Sequence, residues 1–390
     1  MPFFAGDLAI CSYFCKSLFS ADQEDRTAFG KMPCAPAGRP KAGEPYMRLF
    51  SLFKQELAID LGTANTLIIQ EGEVVVDEPS IVALDNRSGE TIAVGRRAMQ
   101  MHERTHKDIR TVRPLKDGVI ADFQAAESMI EGMIRMISTR RRLLSHLKMV
   151  VCIPSGITEV EKRAVFDSAD HVDSKETYLI YEPMAAALGI GLNVEDPEGN
   201  MIIDIGGGTT EIAVIALSGI VGDQSIRIAG DEFSYDIMEY MKRQHNLLIG
   251  ERTAEQIKIH VGSAVHELED PPEDYPVNGR DLMTGIPKQV KISYSEVAHA
   301  LDKSIAKIED AILHALEDTP PELSSDIFKN GLYLTGGGAL LRALDKRIAQ
   351  KTKLMVHIAD DPLRAVVKGT GKALADVERY RPLLIDRRSV

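Results

Sequence analysis

The residues best suited to chemistry stand in one short stretch, where an apolar run ends in a carboxylate, three glycines and two hydroxyls. The stretch is Met201–Glu211, in which Asp204 comes just before the triplet Gly206–Gly208. Glycines let backbone N–H groups approach a bound anion closely, and a carboxylate at a strand end suits a hard cation such as Mg²⁺. Apolar residues on both sides predict a β-hairpin. A plain hairpin turn without a ligand is the alternative.

The same pattern occurs earlier in the chain. Ala58–Leu67 aligns without gaps on Ile202–Glu211, and isoleucine, aspartate, glycine and threonine recur at matching places, so that Asp60 corresponds to Asp204. Two hairpins of one design indicate a duplicated domain. Two such turns facing each other could hold a phosphate chain between them, and each would bring one aspartate to a metal ion.

A third strand runs into glycines at Leu332–Leu340, where the glycines open a helix instead of a hairpin. The triplet Gly336–Gly338 would allow the close backbone approach that the base and ribose of a nucleotide need. The prediction is therefore a site built from three glycine turns that lie far apart along the chain.

Two more places carry charges that could serve such a site. Glu182 stands at a strand-to-helix junction, because the proline that follows it suits the first helical turn. Its alternative role is to complement the helix N-terminus. Glu255 and Lys258 share one face of a predicted helix over Glu251–His260, where a surface ion pair is the alternative to a ligand contact.

Composition bounds the class of protein. The chain has 390 residues, 44% of them hydrophobic, and a formal net charge of −12. Its length suggests two domains or more, and its acidic balance argues against nucleic-acid binding. No apolar run approaches the 20 or so residues of a transmembrane helix. The irregular placement of the four cysteines fits a reducing cytoplasm, with a metal site at Cys11 and Cys15 as a weak alternative.

The N-terminal residues differ from the rest. Residues 1–46 are rich in proline and glycine, which predicts irregular chain: a disordered extension, a stretch upstream of the true start, or a lineage-specific tail. Residues 47–55 are amphipathic on a helical wheel and predict a helix that lies in a membrane interface; a strand lead-in packed on the core is the alternative. The apolar side carries Leu49, Phe50, Leu52 and Phe53, and the polar side carries Arg48, Ser51, Lys54 and Gln55.

The three glycine turns together resemble the actin-like ATPase superfamily, which also contains chaperone ATPases and sugar kinases. A finer resemblance, to the MreB family of bacterial rod-shape actins, runs from about Met47 to about Ala375. It rests on DLGTANT, IPSGITEVEKRA, EPMAAALG, DIGGGTTE, GRDLMTGIPK, LTGGGALLRALD and ADDPLRAVVKGTGKAL. It implies an α/β protein with the duplicated actin-like (ribonuclease H-like) ATPase fold, in which each of two domains carries a smaller subdomain and nucleotide occupies the cleft between the domains.

The expected organisation follows from this resemblance. The boundaries are an extension over residues 1–46, an anchor helix over 47–55, domain I over 56–190 with a small subdomain at about 85–120, domain II over 191–375 with a small subdomain at about 231–300, and a tail over 376–390. Leu268–Gly279 is predicted as a loop and Ala339–Lys351 as a helix. In the resembling family a membrane-facing apolar loop lies near Met99 and Met101, which core packing would also explain.

The resemblance also assigns roles. Glu182 would position and activate the attacking water, and Asp60 and Asp204 would serve Mg²⁺ through water. No Walker-type phosphate loop occurs, and none is needed where two turns clamp the phosphates. The predicted ATP-binding residues are Gly62, Thr63, Ala64 and Asn65, then Gly206, Gly207, Gly208 and Thr209, then Gly230, Asp231, Glu255 and Lys258, and finally Gly336, Gly337, Gly338, Ala339 and Leu340.

The implied function is that of a cytoskeletal ATPase, which polymerises with ATP into membrane-associated filaments and organises cell-wall synthesis to set a rod shape. Its expected partners are other copies of itself, the membrane surface and the cell-wall elongation machinery, at the inner face of the cytoplasmic membrane. A sugar-type kinase is the main alternative, although neither its aspartate base nor its substrate cleft can be identified. A chaperone would need a peptide-binding domain after the ATPase. A scaffold without hydrolysis is disfavoured by Glu182 together with the two aspartates.

Overall fold

The structure is a computed structural model that describes residues 54–137, 146–172 and 174–389, all within the compact unit Leu49–Val390. The predicted extension over residues 1–46 lies outside the described residues, as does most of the predicted anchor helix. The last two anchor positions, Lys54 and Gln55, begin the first strand. No helix in the described ranges is both long enough and apolar enough to cross a membrane. Attachment to a membrane surface stays a prediction.

The first large sheet has six strands in the order β19-β10-β9-β1-β2-β3. These strands are β1 (Lys54–Leu61), β2 (Asn65–Gln70), β3 (Glu73–Pro79), β9 (His146–Ile153), β10 (Ser174–Tyr181) and β19 (Ile385–Asp386). Strands β1, β2 and β3 form an antiparallel meander, whereas β9 and β10 join β1 in parallel. The central strands are apolar on both faces, as expected for parallel strands that are covered on both sides.

The second large sheet repeats this plan with five strands in the order β13-β12-β11-β17-β18. They are β11 (Asn200–Ile205), β12 (Thr210–Ala216), β13 (Gly219–Ile226), β17 (Leu332–Thr335) and β18 (Val356–Ile358). Again a three-stranded antiparallel meander is extended by two parallel strands. Because β11 occupies the place of β1, the two sheets put their first hairpins at equivalent positions. We call the parts around the first and second sheets the first and second lobes.

Ten α-helices occur in the described ranges. They are α1 (Arg96–Met101), α2 (Phe123–Met136), α3 (Glu159–His171), α4 (Glu182–Ile190), α5 (Gly230–His245), α6 (Glu251–Val261), α7 (Tyr294–Glu317), α8 (Pro321–Asn330), α9 (Leu344–Thr352) and α10 (Ala365–Ala375). The predicted capping box at Thr158–Glu161 is confirmed, because the Thr158 side chain accepts a hydrogen bond from the Glu161 N–H and the Glu161 side chain returns to the Thr158 backbone.

Helices α4 and α10 pack together in a core that includes side chains of both large sheets. The two helices touch through glycines: a Cβ atom on Gly189 would collide with the Ala365 carbonyl, and one on Gly369 would collide with the Ala185 carbonyl. Only glycine permits so close a contact. Both lobes therefore rest on one tightly joined helix pair.

Smaller sheets extend each lobe. In the first lobe they are β5-β4-β6 (Thr91–Val94, Val82–Asp85 and Ile109–Val112) and β7-β8 (Leu115–Lys116 and Val119–Ile120). In the second lobe the small sheet is β14-β15-β16 (Leu247–Leu248, Tyr275–Asp281 and Pro287–Ile292). Met99 and Met101 are partly buried against a small core of Ile81, Ala83 and Ala98, which supports the core-packing interpretation of both methionines.

Two local predictions were wrong. The loop predicted over Leu268–Gly279 ends early, because β15 begins at Tyr275 and includes Pro276. The proline is tolerated because β14 pairs only with the far end of β15, which leaves one side of Pro276 without a neighbouring strand. The single helix predicted over Ala339–Lys351 is divided into a 3-10 turn (Gly337–Leu340) and α9, with the left-handed Ala343 between them.

Candidate functional site

The two predicted hairpin turns meet at the boundary between the lobes. A Cβ atom added to Gly207 would lie 2.7 Å from the Cβ of Ala64, and one added to Gly208 would lie 2.7 Å from the Thr63 hydroxyl oxygen. The backbone of one turn thus touches the side chains of the other. Neither glycine could be exchanged for a larger residue without moving the turns apart, so both glycines are required by this contact.

The two aspartates end equivalent strands, and each accepts one side-chain hydrogen bond. The Cys152 thiol donates to Asp60 over 3.1 Å, and the Thr335 hydroxyl donates to Asp204 over 2.8 Å. Burial raises the pKa of Asp60 to about 6 and that of Asp204 to about 7, although both hydrogen bonds oppose the rise. In neither aspartate does the single hydrogen bond offset the cost of burying the ionised carboxylate.

Glu182 is the first residue of α4, as the proline after it predicts. Burial raises its pKa well above the usual value, and the negative charges of Glu211, Asp60 and Asp204 raise it further. Four carboxyl groups therefore lie within electrostatic reach of one another. Such a cluster favours a bound cation, because positive charge would stabilise all four in their ionised forms.

This donor set fits a cation held through its water shell. No group of three or more His, Cys, Asp or Glu side chains in the described ranges is close enough to coordinate a metal directly. Mg²⁺ loses its water shell reluctantly and is usually bound through one or two carboxylates together with substrate phosphates. Asp60 and Asp204, one from each lobe, are carboxylates that could provide contacts of that kind.

Glu211, which the sequence analysis did not assign to the site, is fully buried beside it. It lies opposite Asp204 in the antiparallel hairpin. It accepts hydrogen bonds from the Ser155 N–H at 3.1 Å, the Ser155 hydroxyl at 2.7 Å and the Ser225 hydroxyl at 2.6 Å. A glutamate inside an otherwise apolar strand was the signal that could have identified it. Cys152 and Thr335, the donors to the two aspartates, were missed as well.

The N-terminus of α5 lies against the second glycine turn. The Gly230 N–H donates to the Gly206 carbonyl at 3.2 Å, and the Asp231 N–H donates to the Gly207 carbonyl at 2.7 Å. These bonds hold the turn in place from the second lobe. The amides of Gly230 and Asp231 are thereby already used within the protein, so their predicted contact with nucleotide would involve other atoms.

Glu255 and Lys258 are joined by an ion pair of 2.7 Å on α6. The ammonium group of Lys258 also donates to the Gly230 carbonyl at 2.7 Å and to the Ser234 hydroxyl at 3.2 Å. Lys258 is largely buried and Glu255 is half exposed. The pair is therefore more than a surface ion pair, since it fastens α6 to the start of α5 beside the glycine turn.

The third glycine turn packs on the end of β11. A Cβ atom on Gly336, whose φ is +79°, would collide with the Ile205 carbonyl and lie 2.7 Å from an Asp204 carboxylate oxygen, and one on Gly338 would collide with the Ile205 side chain. In the same turn Ala339 is buried and Leu340 is exposed. The structure thus brings this turn to Asp204 as well.

Ion pairs join the lobes on another side of the site. Arg113 of the first lobe lies 3.7 Å from Asp231 and 3.3 Å from Glu251 of the second lobe. His102 lies 3.6 Å from Glu251. Burial raises the pKa of Asp231 even though Arg113 lowers it. The lobes are in contact here, with the predicted site between them.

Comparison with known proteins agrees with this architecture. The family model for MreB/Mbl protein matches residues 54–382. The chain belongs to the MreB/Mbl family. The cell shape-determining protein Mbl of Bacillus subtilis is 45% identical over 329 residues, which cover 84% of this chain and 98% of Mbl.

Solved structures of MreB-like proteins confirm the actin-like fold. MreB 5 of Spiroplasma citri, solved with bound AMPPNP, superposes with a TM-score of 0.79 at 39% identity and covers 84% of this chain and 97% of its own. The MamK double helical filament has a TM-score of 0.69 at 22% identity, covers 83% and 99% of the two chains, and supports the fold alone.

Proposed function

We propose that this MreB/Mbl protein is a cytoskeletal ATPase, which binds ATP with Mg²⁺ and assembles into filaments. One observation carries the proposal: two hairpins from duplicated sheets meet at their glycine turns, and the carboxyl groups of Asp60, Asp204 and Glu182 gather beside them. Glycine turns supply backbone donors for phosphate oxygens, and carboxylates supply outer-shell contacts for the metal. The AMPPNP bound to the Spiroplasma relative supports a nucleotide as the ligand.

Each residue has a defined task in this mechanism. Bound Mg²⁺ would supply the positive charge that phosphoryl transfer requires. Asp60 and Asp204, which come from opposite lobes, would hold the ion through its water shell. Glu182, at the start of α4, orients a water molecule for attack and accepts its proton. A nucleotide that contacts both hairpins would stabilise the arrangement in which the two glycine turns lie together.

Filament assembly would follow from that closure. A clamp that spans two lobes links the nucleotide to their relative arrangement, and ATP would favour the closed arrangement from which subunits polymerise. Hydrolysis would then loosen the clamp. The ion pairs of Arg113 with Asp231 and Glu251 are contacts that such an opening would break. The name of the Bacillus relative, a cell shape-determining protein, supports this role.

Membrane attachment is the second part of the proposal. Phe50 and Phe53 belong to the amphipathic stretch over residues 47–55. This stretch is too short to form a stable isolated helix in water. At a membrane interface the apolar side chains could each contribute about 1.5–3 kcal/mol if fully buried, and a filament would add avidity. The protein would then act at the inner face of the cytoplasmic membrane with the cell-wall elongation machinery.

Sedimentation with and without Mg-ATP, scored also for phosphate release, tests the first part. We expect pelleting that depends on Mg-ATP, together with hydrolysis of ATP that is measured as free phosphate. Phosphate transfer to a sugar, without pelleting, would support a kinase instead. Pelleting without hydrolysis would indicate a scaffold.

Liposome co-sedimentation tests the membrane proposal. The protein starting at Met47 should pellet with anionic vesicles, and the double variant Phe50→Ser/Phe53→Ser should polymerise but remain in the supernatant. Equal pelleting of both proteins with vesicles would remove this stretch as the anchor and make the Met99–Met101 segment the next one to test.

A further inference from the structure

Glu211 joins parts of the molecule that would separate if the lobes moved apart. Its carboxylate accepts hydrogen bonds from the N–H and the hydroxyl of Ser155 and from the hydroxyl of Ser225. Ser155 follows β9 and so belongs to the first lobe, whereas Ser225 lies on β13 in the second lobe. Glu211 itself is in β12 of the second lobe. Two of its three hydrogen bonds therefore cross the boundary between the lobes.

The surrounding packing leaves little freedom in this contact. Glu211 is fully buried, and a Cβ atom on Gly156, the neighbour of Ser155, would lie 3.0 Å from the Cβ of Ser225. A buried carboxylate that loses its donors is strongly destabilised. Hydrogen bonds to a carboxylate are also roughly twice as strong as neutral ones. Separation of the lobes at Ser155 would therefore be opposed by Glu211 directly.

The position of Glu211 along the chain links this contact to the glycine turn. It follows the turn Gly206–Thr209 by two residues and lies opposite Asp204 across the hairpin. Whatever fixes Glu211 also fixes the strand that ends the turn. Through the hairpin register, the contact at Ser155 therefore influences the position of the glycine turn, whose backbone groups would face the phosphates of a bound nucleotide.

We propose that Ser155 and Glu211 form a strut between the lobes, which holds the second glycine turn and Asp204 in the arrangement that retains nucleotide. Glu211 is thus a positioning residue. This inference rests on the proposed nucleotide site and adds to it the element that sets how long nucleotide stays bound.

The test measures the release rate of a fluorescent ATP analogue, with Mg²⁺, from the full chain. Ser155→Ala, which removes one of the two bonds that cross between the lobes, should release the analogue about tenfold faster, as expected for the loss of a charge-assisted hydrogen bond. Ser304→Ala is the matched control, because Ser304 donates to the carboxylate of Asp236 within the second lobe. It should release the analogue within about twofold of the parent rate. Ser155→Thr, which keeps the hydroxyl, should restore slow release.

The double variant Ser155→Ala/Glu211→Gln separates the strut from general destabilisation. If the two residues act through one bond, their effects on the release rate are strongly non-additive. Release from Ser155→Ala at the parent rate, or effects that simply multiply in the double variant, would overturn the strut. A parent protein that binds no ATP analogue would instead refute the nucleotide site itself, so the two failures are distinguishable. If Ser155→Ala does not fold, the release rates of the ATP analogue from Ser155→Thr and Glu211→Gln test the strut instead. Release should be fast from Glu211→Gln and slow from Ser155→Thr, and equal rates would overturn the strut.

Discussion

The two hairpins share one design but differ in which groups hold their turns. The turn of β11 and β12 is enclosed by the N–H groups of Gly230 and Asp231, by the third glycine turn and by the strut at Glu211. The turn of β1 and β2 is held by hydrogen bonds within the first lobe: the Ser80 hydroxyl donates to the Gly62 carbonyl, the Ser80 N–H donates to the Ala64 carbonyl, and the Gly118 N–H donates to the Thr63 hydroxyl. The two turns therefore differ in the kind of support, because only the second is followed by a buried carboxylate that is bonded to the other lobe.

The two aspartates differ in burial and in the group that donates a hydrogen bond to each. Asp204 is 5% exposed and accepts a bond from a hydroxyl, whereas Asp60 is less buried and accepts a weaker bond from a thiol. The pKa reaches about 7 for Asp204 and about 6 for Asp60. The more buried carboxylate gains more from a nearby cation.

The largest effect is expected at Glu182, which belongs to neither hairpin and is affected by the charges of both aspartates. Glu182→Ala should keep ATP binding and lower turnover by roughly 10²-fold or more, the scale of a lost acid–base group. Glu182→Gln, which keeps the size of the side chain, should be equally slow. Turnover at the parent rate in a steady-state phosphate assay would remove Glu182 from the reaction.

The next largest effect should distinguish the two aspartates. Asp204→Asn should weaken Mg-ATP binding by about 10–100-fold, the range seen when an outer-shell metal contact is lost. Asp60→Asn should weaken it less, because Asp60 is less buried. Calorimetry with and without Mg²⁺ measures both losses. If each substitution lowered the affinity for metal-free ATP as much as the affinity for Mg-ATP, the aspartates would be structural residues and not metal contacts.

A smaller effect is expected from crowding the contact between the turns. Gly207→Ala would place a methyl group 2.7 Å from the Cβ of Ala64, and should lower ATP affinity about tenfold, since overpacking costs about 1–3 kcal/mol. Gly222→Ala, in β13 of the same lobe, has nothing within 4 Å and is the control. Equal ATP affinity of the two variants in calorimetry would show that the turns do not close on the nucleotide.

The last prediction concerns the stability of the metal-free protein and its dependence on pH. When the pKa of a carboxyl group is higher in the folded than in the unfolded state, the unfolded state releases its proton first as pH rises. The unfolding free energy therefore falls between the unfolded pKa and the folded pKa. For Asp204 the loss falls between about pH 4 and pH 7. The parent should therefore lose about 2 kcal/mol more unfolding free energy between pH 5 and pH 8 than Asp204→Asn. Urea unfolding measures this difference, and parallel curves would contradict it.

The sequence alone was sufficient for the parts of the site that are local. Asp60 and Asp204 were predicted at strand ends because each follows an apolar run and precedes glycine, and the hairpins, their repetition and the position of Glu182 were recognisable in the same way. The actin-like fold came from the resemblance of several motifs together, and the comparisons confirm it.

The contacts between distant segments could not be predicted. The bond from Ser155 to Glu211 joins residues 56 positions apart, and the bond from Cys152 to Asp60 joins residues 92 positions apart. No periodicity connects such pairs, because their proximity depends on how the sheets pack. The strand at Tyr275 was missed for a related reason: Pro276 indicates a loop unless one knows that the neighbouring strand ends before reaching it.

The central claim is that the two hairpins form one site for Mg-ATP. A double-mutant cycle of Asp60→Asn and Asp204→Asn, followed by calorimetry of Mg-ATP binding, tests it most directly. If both carboxylates hold the water shell of one ion, the loss of binding free energy in the double variant should differ clearly from the sum of the single losses, while the affinity for metal-free ATP changes little. Losses that add and that persist without Mg²⁺ would contradict a shared metal and, with it, the clamp.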